Sequence, residues 1–402
     1  MAGSIFRDKT KACCLTLRHS HGGSGFLSIR RPNRSPRASC SAASYRPDRR
    51  AVGRLGYTFR FQSEGKALNI GFGLALDFWS AEKPLSRHLD DCVELLKRAE
   101  GYGFNSVWAG ENRAPRAAPG HTPAPLMVLA ALANRTSLRI GSGVTLLTLW
   151  HPLRLAYDGA ILDHLSDGRF TLGVGVGAPP VMERFGVPPA EAGSRMDDGL
   201  ALLKAFWSGA DHYHGRHFHV DGAVVPGPVQ PGGPPIWVGG TVERSVRRAV
   251  ELGDAWYGAT QYHFEVIKRQ ARRYRELLAA RGTDPVAATV AVNRTTFLAT
   301  SDDEARRQGK PFVKQVLDFY ARFGAVTDAE GNALDRNTDL FEQVGDEIYF
   351  AGSPASCIHS MQRYVDAGVT QFNLRVSMGD MPAAFVQRTV KLLGEQVLPN
   401  FR

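Results

Sequence analysis

The chain has 402 residues, 43% of them hydrophobic and 22% charged, ample to bury one large core or two ordinary ones. No window approaches 18 consecutive apolar residues, so the sequence offers no membrane span. The formal net charge of +10 suggests nucleic acid only until it is located: 3 Lys and 11 Arg face 3 acids in residues 1–67, whereas 35 basic residues face 36 acidic ones beyond them, a near-neutral body with no electrostatic reason to seek DNA or RNA.

In chain order, residues 1–67 come first. Runs such as Arg30-Arg31-Pro32-Asn33-Arg34-Ser35-Pro36-Arg37 have neither period 2 nor period 3.6 and too little apolar surface to order themselves, so a disordered basic leader is expected. Three origins fit it: an organellar transit peptide, an arm for polyanions, or a stretch upstream of the true start. The third is favoured, because Leu68 stands where the periodic sequence begins and leucine codons can serve as bacterial starts. Cys13, Cys14 and Cys40 lie in this leader, while Cys92 and Cys357 fall on apolar positions of expected helices. An odd count without regular spacing argues against a disulfide framework or a zinc site and fits a reducing cytoplasm.

From residue 68 to residue 402 strand-like runs alternate with amphipathic helices. Strands are expected at Asn69–Leu76, Phe104–Gly110, Leu138–Leu147, Phe170–Val176, Pro235–Gly239, Asp254–Ala259, Thr289–Ala299 and Gln371–Val376. The third is apolar on both faces, as a buried parallel strand should be. Helices are expected between them: Arg87–Tyr102, with Leu89, Cys92, Val93, Leu96 and Ala99 on one stripe, then Pro125–Asn134, Leu153–Leu165, Arg195–Trp207, Val242–Leu252, Phe264–Arg281, one from Ser301, Pro354–Ala367 and a closing helix through Leu393. A β-hairpin is expected around Gly215, and a polar excursion near Asp328–Asp339. Eight such units predict a single α/β (β/α)8 TIM-type barrel with insertions. An open doubly wound sheet is less consistent. Its nucleotide fingerprint is missing, since Gly173-Val174-Gly175-Val176-Gly177 runs into Ala178-Pro179-Pro180, which is read as unable to open a helix. Those glycines read better as a strand end approached by another backbone or by a flat ligand.

Several positions can carry chemistry. Pro235–Gly239 ends in Gly239-Gly240, with Thr241 at the expected helix N-cap and Glu243 in the first turn. The free N–H groups and positive dipole end there make an anion site, although an ordinary capped helix has the same pattern. Arg195 opens another helix at the strand-end side, where it either forks onto a phosphate or is a solvated charge. Glu111-Asn112-Arg113 follows the second strand, where barrels keep catalytic groups. His151 follows the third strand, either as a proton carrier or as a packing residue. His212, His214, His217 and His219 alternate along the hairpin, 212 with 214 on one face and 217 with 219 on another. No carboxylate or thiol set completes a metal site, so they read as a solvated hairpin. No Ser/His/Asp set stands in nucleophile-elbow context.

Four segments together resemble the luciferase-like flavin-dependent monooxygenases: Gly103–Trp108, Arg139–Leu147 running on to His151-Pro152, Leu162–Phe170, and Pro235–Gly240. The likeness runs in order over 69–399. It implies a barrel that binds FMN, or its deazaflavin relative coenzyme F420, at the C-terminal mouth. It implies a non-prolyl cis peptide at Gly143–Val144 beside the isoalloxazine, and phosphate contacts at Gly239, Gly240, Thr241 and Arg195. It further implies reduced FMN from a separate flavin reductase, O2-dependent oxygenation of a small organic substrate, and a homo-oligomer. Two departures matter. Asn112 stands where the family often has a catalytic histidine, and Val176 where some relatives carry an arginine. Asn112 and His151 are therefore the catalytic candidates, and Arg113, Arg244 or His151 would substitute for the missing contact. An F420-dependent reductase or dehydrogenase of the same fold, a non-catalytic flavin-binding protein and an unrelated phosphate-binding barrel stand as alternatives. Segments 113–124, 178–194 and 324–347 are expected as lids or substrate walls, and Phe78, Trp79 and Trp150 as pocket lining or core.

Overall fold

The computed structural model describes residues 69–78, 84–112, 122–378 and 381–402. The expected leader, Leu68, Trp79, Arg113 and most of the segment 113–124 lie outside the described residues.

The barrel strands are short, mostly buried runs between turn signals, largely apolar or small but interrupted by polar residues such as Asn293, Arg294 and Asn373. Among the described residues, eight parallel strands result: β1 (Gly71–Ala75), β2 (Ser106–Ala109), β3 (Arg139–Ser142), β4 (Phe170–Gly175), β5 (Ile236–Gly239), β6 (Ala255–Gly258), β7 (Thr289–Leu298) and β8 (Gln371–Arg375). Each pairs with the next, and β8 pairs back onto β1, with Gly71 opposite Gln371 and Ala75 opposite Arg375. The sheet is thus closed and has no open edge in the barrel. The (β/α)8 expectation holds for the body of the chain.

The surrounding helices bury the stripe that their periodicity announces. In α1 (Leu85–Gly101) the buried set is Cys92, Val93, Leu96 and Ala99. The helices α2 (Pro125–Ala133), α3 (Pro152–Leu165), α4 (Ala192–Trp207), α5 (Glu243–Leu252), α6 (Phe264–Ala280) and α7 (Asp302–Ala321) follow in turn. Ser301 caps α7 by accepting from the Glu304 N–H, 3.2 Å, which satisfies one of the orphan donors of its first turn. Cys92 and Cys357 are buried thiols.

Three local expectations change. Ala178-Pro179-Pro180 does open a helix, Pro179–Arg184, with both prolines in its first positions, where a missing N–H costs nothing. The excursion at 324–347 runs into α8 (Leu340–Ile348), capped by Asp339 and buried through Leu340, Phe341, Val344 and Ile348. It leads to a three-residue strand, Phe350–Gly352, that lies parallel to the C-terminal end of β7, and then to α9 (Pro354–Asp366). The hairpin pairs His212–His214 with His219–Asp221, so His217 sits in the connection and does not share a strand face with His219. The chain closes with α10 (Ala383–Leu392). Among the described residues no helix is long and apolar enough to cross a membrane.

Candidate active site

The C-terminal ends of β2 to β5 form a patch of backbone with few side chains. Gly173 on β4 faces the Ser142 carbonyl, and any Cβ there would collide with it. The glycine pattern of 173–177 is therefore a strand packed against a neighbouring strand, as read from the sequence. At the end of β3 the Gly143–Val144 peptide is cis, at the register that the family resemblance implied. A Cβ on Gly143 would lie 2.8 Å from the Tyr257 hydroxyl. Past this point the chain continues as Thr145-Leu146, pairing with Val174-Gly175.

Below this patch the barrel interior is aromatic and polar. Trp108 and Trp237 stack with centroids 4.6 Å apart, and Tyr257 packs at 5.8 Å from Trp108. The Tyr257 hydroxyl accepts from the side-chain amides of Asn373 at 3.0 Å and Asn293 at 3.3 Å. Gln371 donates to Asn373 Oδ1 at 2.9 Å, and Trp108 Nε1 donates to Ser106 Oγ at 2.9 Å. Burial pushes the Tyr257 phenol up to about 12 against the opposing pull of the two amides. The group is neutral throughout the physiological range and serves as a hydrogen-bonding floor.

The expected anion site lies at the end of β5. Gly240 has φ +130°, a conformation that side-chain-bearing residues rarely adopt. Thr241 is not the N-cap: α5 begins at Glu243, and Val242 holds the cap position without a side-chain bond. The expectation fails because the chain makes one more extended step before coiling. The Thr241 hydroxyl is instead buried, and Oγ1 has no hydrogen-bond partner. A buried hydroxyl without a partner costs about 1–3 kcal/mol, so its place at this turn marks a position where a ligand oxygen would fit. The N-terminus of α4 lies alongside. Arg248 Nη2 donates to the Gly193 carbonyl at 3.2 Å, while Arg248 Nε and Arg244 Nη2 both reach Asp197 at 2.5 Å. Arg195, one turn into α4, is held by Glu191 at 2.8 Å. Glycines without Cβ atoms, a buried hydroxyl in need of a partner and arginines at two adjoining helix starts fit a planar ring with a phosphoryl tail.

The catalytic candidates are Asn112 and His151, of which His151 shares the Phe218 ring with Arg195. The Asn112 N–H donates to the Thr122 carbonyl at 3.0 Å; its side chain has no titratable group and can hold a hydrogen bond but not a proton. Beside it Glu111 is buried and ties the end of β2 to the next loop, accepting from the Leu146 N–H at 2.7 Å and from Trp150 Nε1 at 3.2 Å. His151 is exposed at the N-cap of α3 and lies edge-on to Phe218, 5.3 Å away. Phe78 is buried in the core, 1% exposed.

Three features were not legible in the sequence. Arg375 at the end of β8 donates to both oxygens of Asp77 at the end of β1, at 3.1 and 2.9 Å, closing the seam between first and last strands. Arg294 is fully buried and donates to the carbonyls of Ala259, Thr260 and Tyr262 and to the Tyr364 hydroxyl, at 2.6–3.0 Å, fixing the loop after β6. The hairpin is not simply solvated: His212, His214 and His219 are exposed, but His217 and Phe218 are anchored to α4 through Asp198, which accepts their N–H groups at 2.5 and 3.1 Å.

Residues 71–371 match the model of the luciferase-like monooxygenase family. The chain is 31% identical over 169 residues, 41% of its own length, to the oxygenase component of the flavin-dependent trigonelline monooxygenase of Acinetobacter baylyi, and the alignment spans 46% of that relative. It is 25% identical over 76% of its length to the 5,10-methylenetetrahydromethanopterin reductase of Archaeoglobus fulgidus, spanning 94% of that enzyme. Among solved structures, the monooxygenase RslO1 of Streptomyces bottropensis superposes with a TM-score of 0.73 at 25% identity, covering 83% of this chain and 100% of that one. The oxygenating constituent of 3,6-diketocamphane monooxygenase from Pseudomonas putida, in complex with FMN, gives 0.69 at 20% identity over 82% of this chain and 98% of that one, a likeness of fold.

Proposed function

The chain belongs to the luciferase-like monooxygenase family, and on that premise we propose that it is the oxygenase of a two-component, FMN-dependent monooxygenase acting on a small organic substrate. The observation that carries the reading is the turn Gly239-Gly240-Thr241, with its buried, partnerless hydroxyl at the mouth of the barrel. Thr241, the N–H groups opening α5 and Arg195 would hold the phosphoryl group. The Gly143–Val144 step, over the Trp108, Trp237 and Tyr257 floor, would seat the isoalloxazine. When bound in reduced form, the flavin supplies the electrons and the O2 chemistry. The chain's own residues bind, orient and exclude water. Glu111 fixes the wall between β2 and α3 next to Asn112, and Asn112 and His151 are the groups offered to the substrate. A separate flavin reductase, assembly as a homo-oligomer and a cytoplasmic setting belong to the same proposal, as does a body that starts near residue 68.

An F420-dependent reduction is the second reading, favoured by the near-complete alignment with the methanopterin reductase. Titration with FMN and with F420, followed by fluorescence quenching, separates the two. Adding O2 to protein mixed with FMNH2 then tests oxygenation: substrate-free FMNH2 oxidising at the same rate with and without the protein would count against it.

A further inference from the structure

Glu191 has two nitrogen-bearing side chains facing one of its oxygens. Arg195 Nε lies 2.8 Å from Glu191 Oε2, and His217 Nδ1 lies 3.9 Å from the same atom. The His217 side chain is 10% exposed, and its other nitrogen, Nε2, is 2.8 Å from Ser194 Oγ. Ser194 Oγ already donates to the Glu191 carbonyl at 3.0 Å, so it accepts from His217, which places the single proton of the neutral ring on Nε2. Nδ1 then faces the carboxylate with a lone pair, and a proton added there would make an ion pair with Glu191 across the 3.9 Å that separates them. Asp198 is taken up by the His217 and Phe218 N–H groups and the Tyr213 hydroxyl. Arg195 lies over the Phe218 ring, at 5.9 Å, and His151 packs edge-on against that ring. Arg216 precedes His217 in the connection.

We propose that His217 is a positioning residue for the phosphoryl group: when Arg195 leaves Glu191 for the ligand, His217 takes a proton from solvent at Nδ1 and replaces Arg195 on Glu191. Without that exchange a carboxylate freed of its partner would face an incoming dianion, a like-charge arrangement that disfavours both. An imidazole is the side-chain type that gains a proton most readily near neutrality. This inference rests on the phosphate reading of the preceding section.

The test is calorimetric titration of the full chain with FMN at pH 7.5, in two buffers of different ionisation enthalpy, with riboflavin as the phosphate-free control. The FMN phosphate is then mostly dianionic. Wild type is expected to take up a fraction of a proton, up to one, on binding FMN and none on binding riboflavin. His217→Gln is expected to lose the uptake, and Glu191→Gln to lose it while binding FMN severalfold more tightly, because Arg195 is released. FMN affinity of the wild type should fall as pH rises above neutrality, approaching tenfold per unit, and that slope should flatten in His217→Gln. A merely structural histidine would change affinity without changing proton count. Equal uptake in wild type and His217→Gln, or equal uptake with riboflavin, overturns the exchange and leaves the flavin site standing. Failure of wild type to bind FMN overturns both.

Discussion

Replacing Thr241 by valine keeps the shape of the side chain and removes only the hydroxyl. That hydroxyl is buried and no protein group bonds it, so its desolvation, about 1–3 kcal/mol, is not offset by the protein itself. Thr241→Val should therefore raise the stability of the flavin-free protein by about 1 kcal/mol or somewhat more. In the FMN complex the same hydroxyl would donate to a charged phosphoryl oxygen, an interaction worth about 1.5–3 kcal/mol. The variant should bind FMN roughly 10- to 100-fold more weakly, with riboflavin affinity nearly unchanged. Thermal or urea unfolding without ligand gives the first quantity, and fluorescence titration with the two flavins gives the second. The opposite signs are the informative part. A variant that is less stable, yet binds FMN as well as wild type, would show that the hydroxyl serves the fold and that the phosphate contact is misplaced.

Other expectations follow from the same geometry. Gly143→Ala places a methyl 2.8 Å from the Tyr257 hydroxyl and should destabilise by about 1–3 kcal/mol, as overpacking does; adding Tyr257→Phe should recover part of that loss in a double-mutant cycle. Arg294→Lys loses the fork that reaches three carbonyls and a hydroxyl, and should cost about 3 kcal/mol in urea unfolding, with increased protease cleavage in 259–263. Asp198 is held below the usual carboxylate range: burial opposes its charge, but the Tyr213 hydroxyl and the N–H groups of His217 and Phe218 outweigh it. A depressed folded-state value means that the contribution is complete above the unfolded pKa, about 3.9, and is lost as pH falls through the folded value. The stability difference between wild type and Asp198→Asn should accordingly be constant from pH 5 to 8 and shrink below about pH 4; a difference that persists undiminished at pH 2.5 would sink the assignment.

What the sequence made legible was whatever is written locally. The eight strands and their helices could be read because alternation and 3.6-residue periodicity are properties of neighbouring residues, and Gly239-Gly240 could be read as a turn for the same reason. The one-residue step that moved the cap from Thr241 to Val242 is a matter of backbone angles, which the capping pattern does not encode. Helix α8 was hidden because its nine residues follow a polar stretch that dominates any window drawn around them. The pairing of Asp77 with Arg375, almost 300 residues apart, depends on barrel closure and register, as does the meeting of Tyr257, Asn293 and Asn373. His217 looked like one of four equivalent histidines. Only the packing of the hairpin against α4 sets it apart from the other three.

The stacked pair Trp108 and Trp237, 29° from parallel, has an optical consequence. Two indoles this close couple their electronic transitions, so the protein should carry an exciton couplet in its circular dichroism near the far-ultraviolet edge, independent of any bound chromophore. A ring settling above them would disturb both the couplet and their emission. Spectroscopy of the unlabelled chain can then follow filling of the barrel mouth in real time.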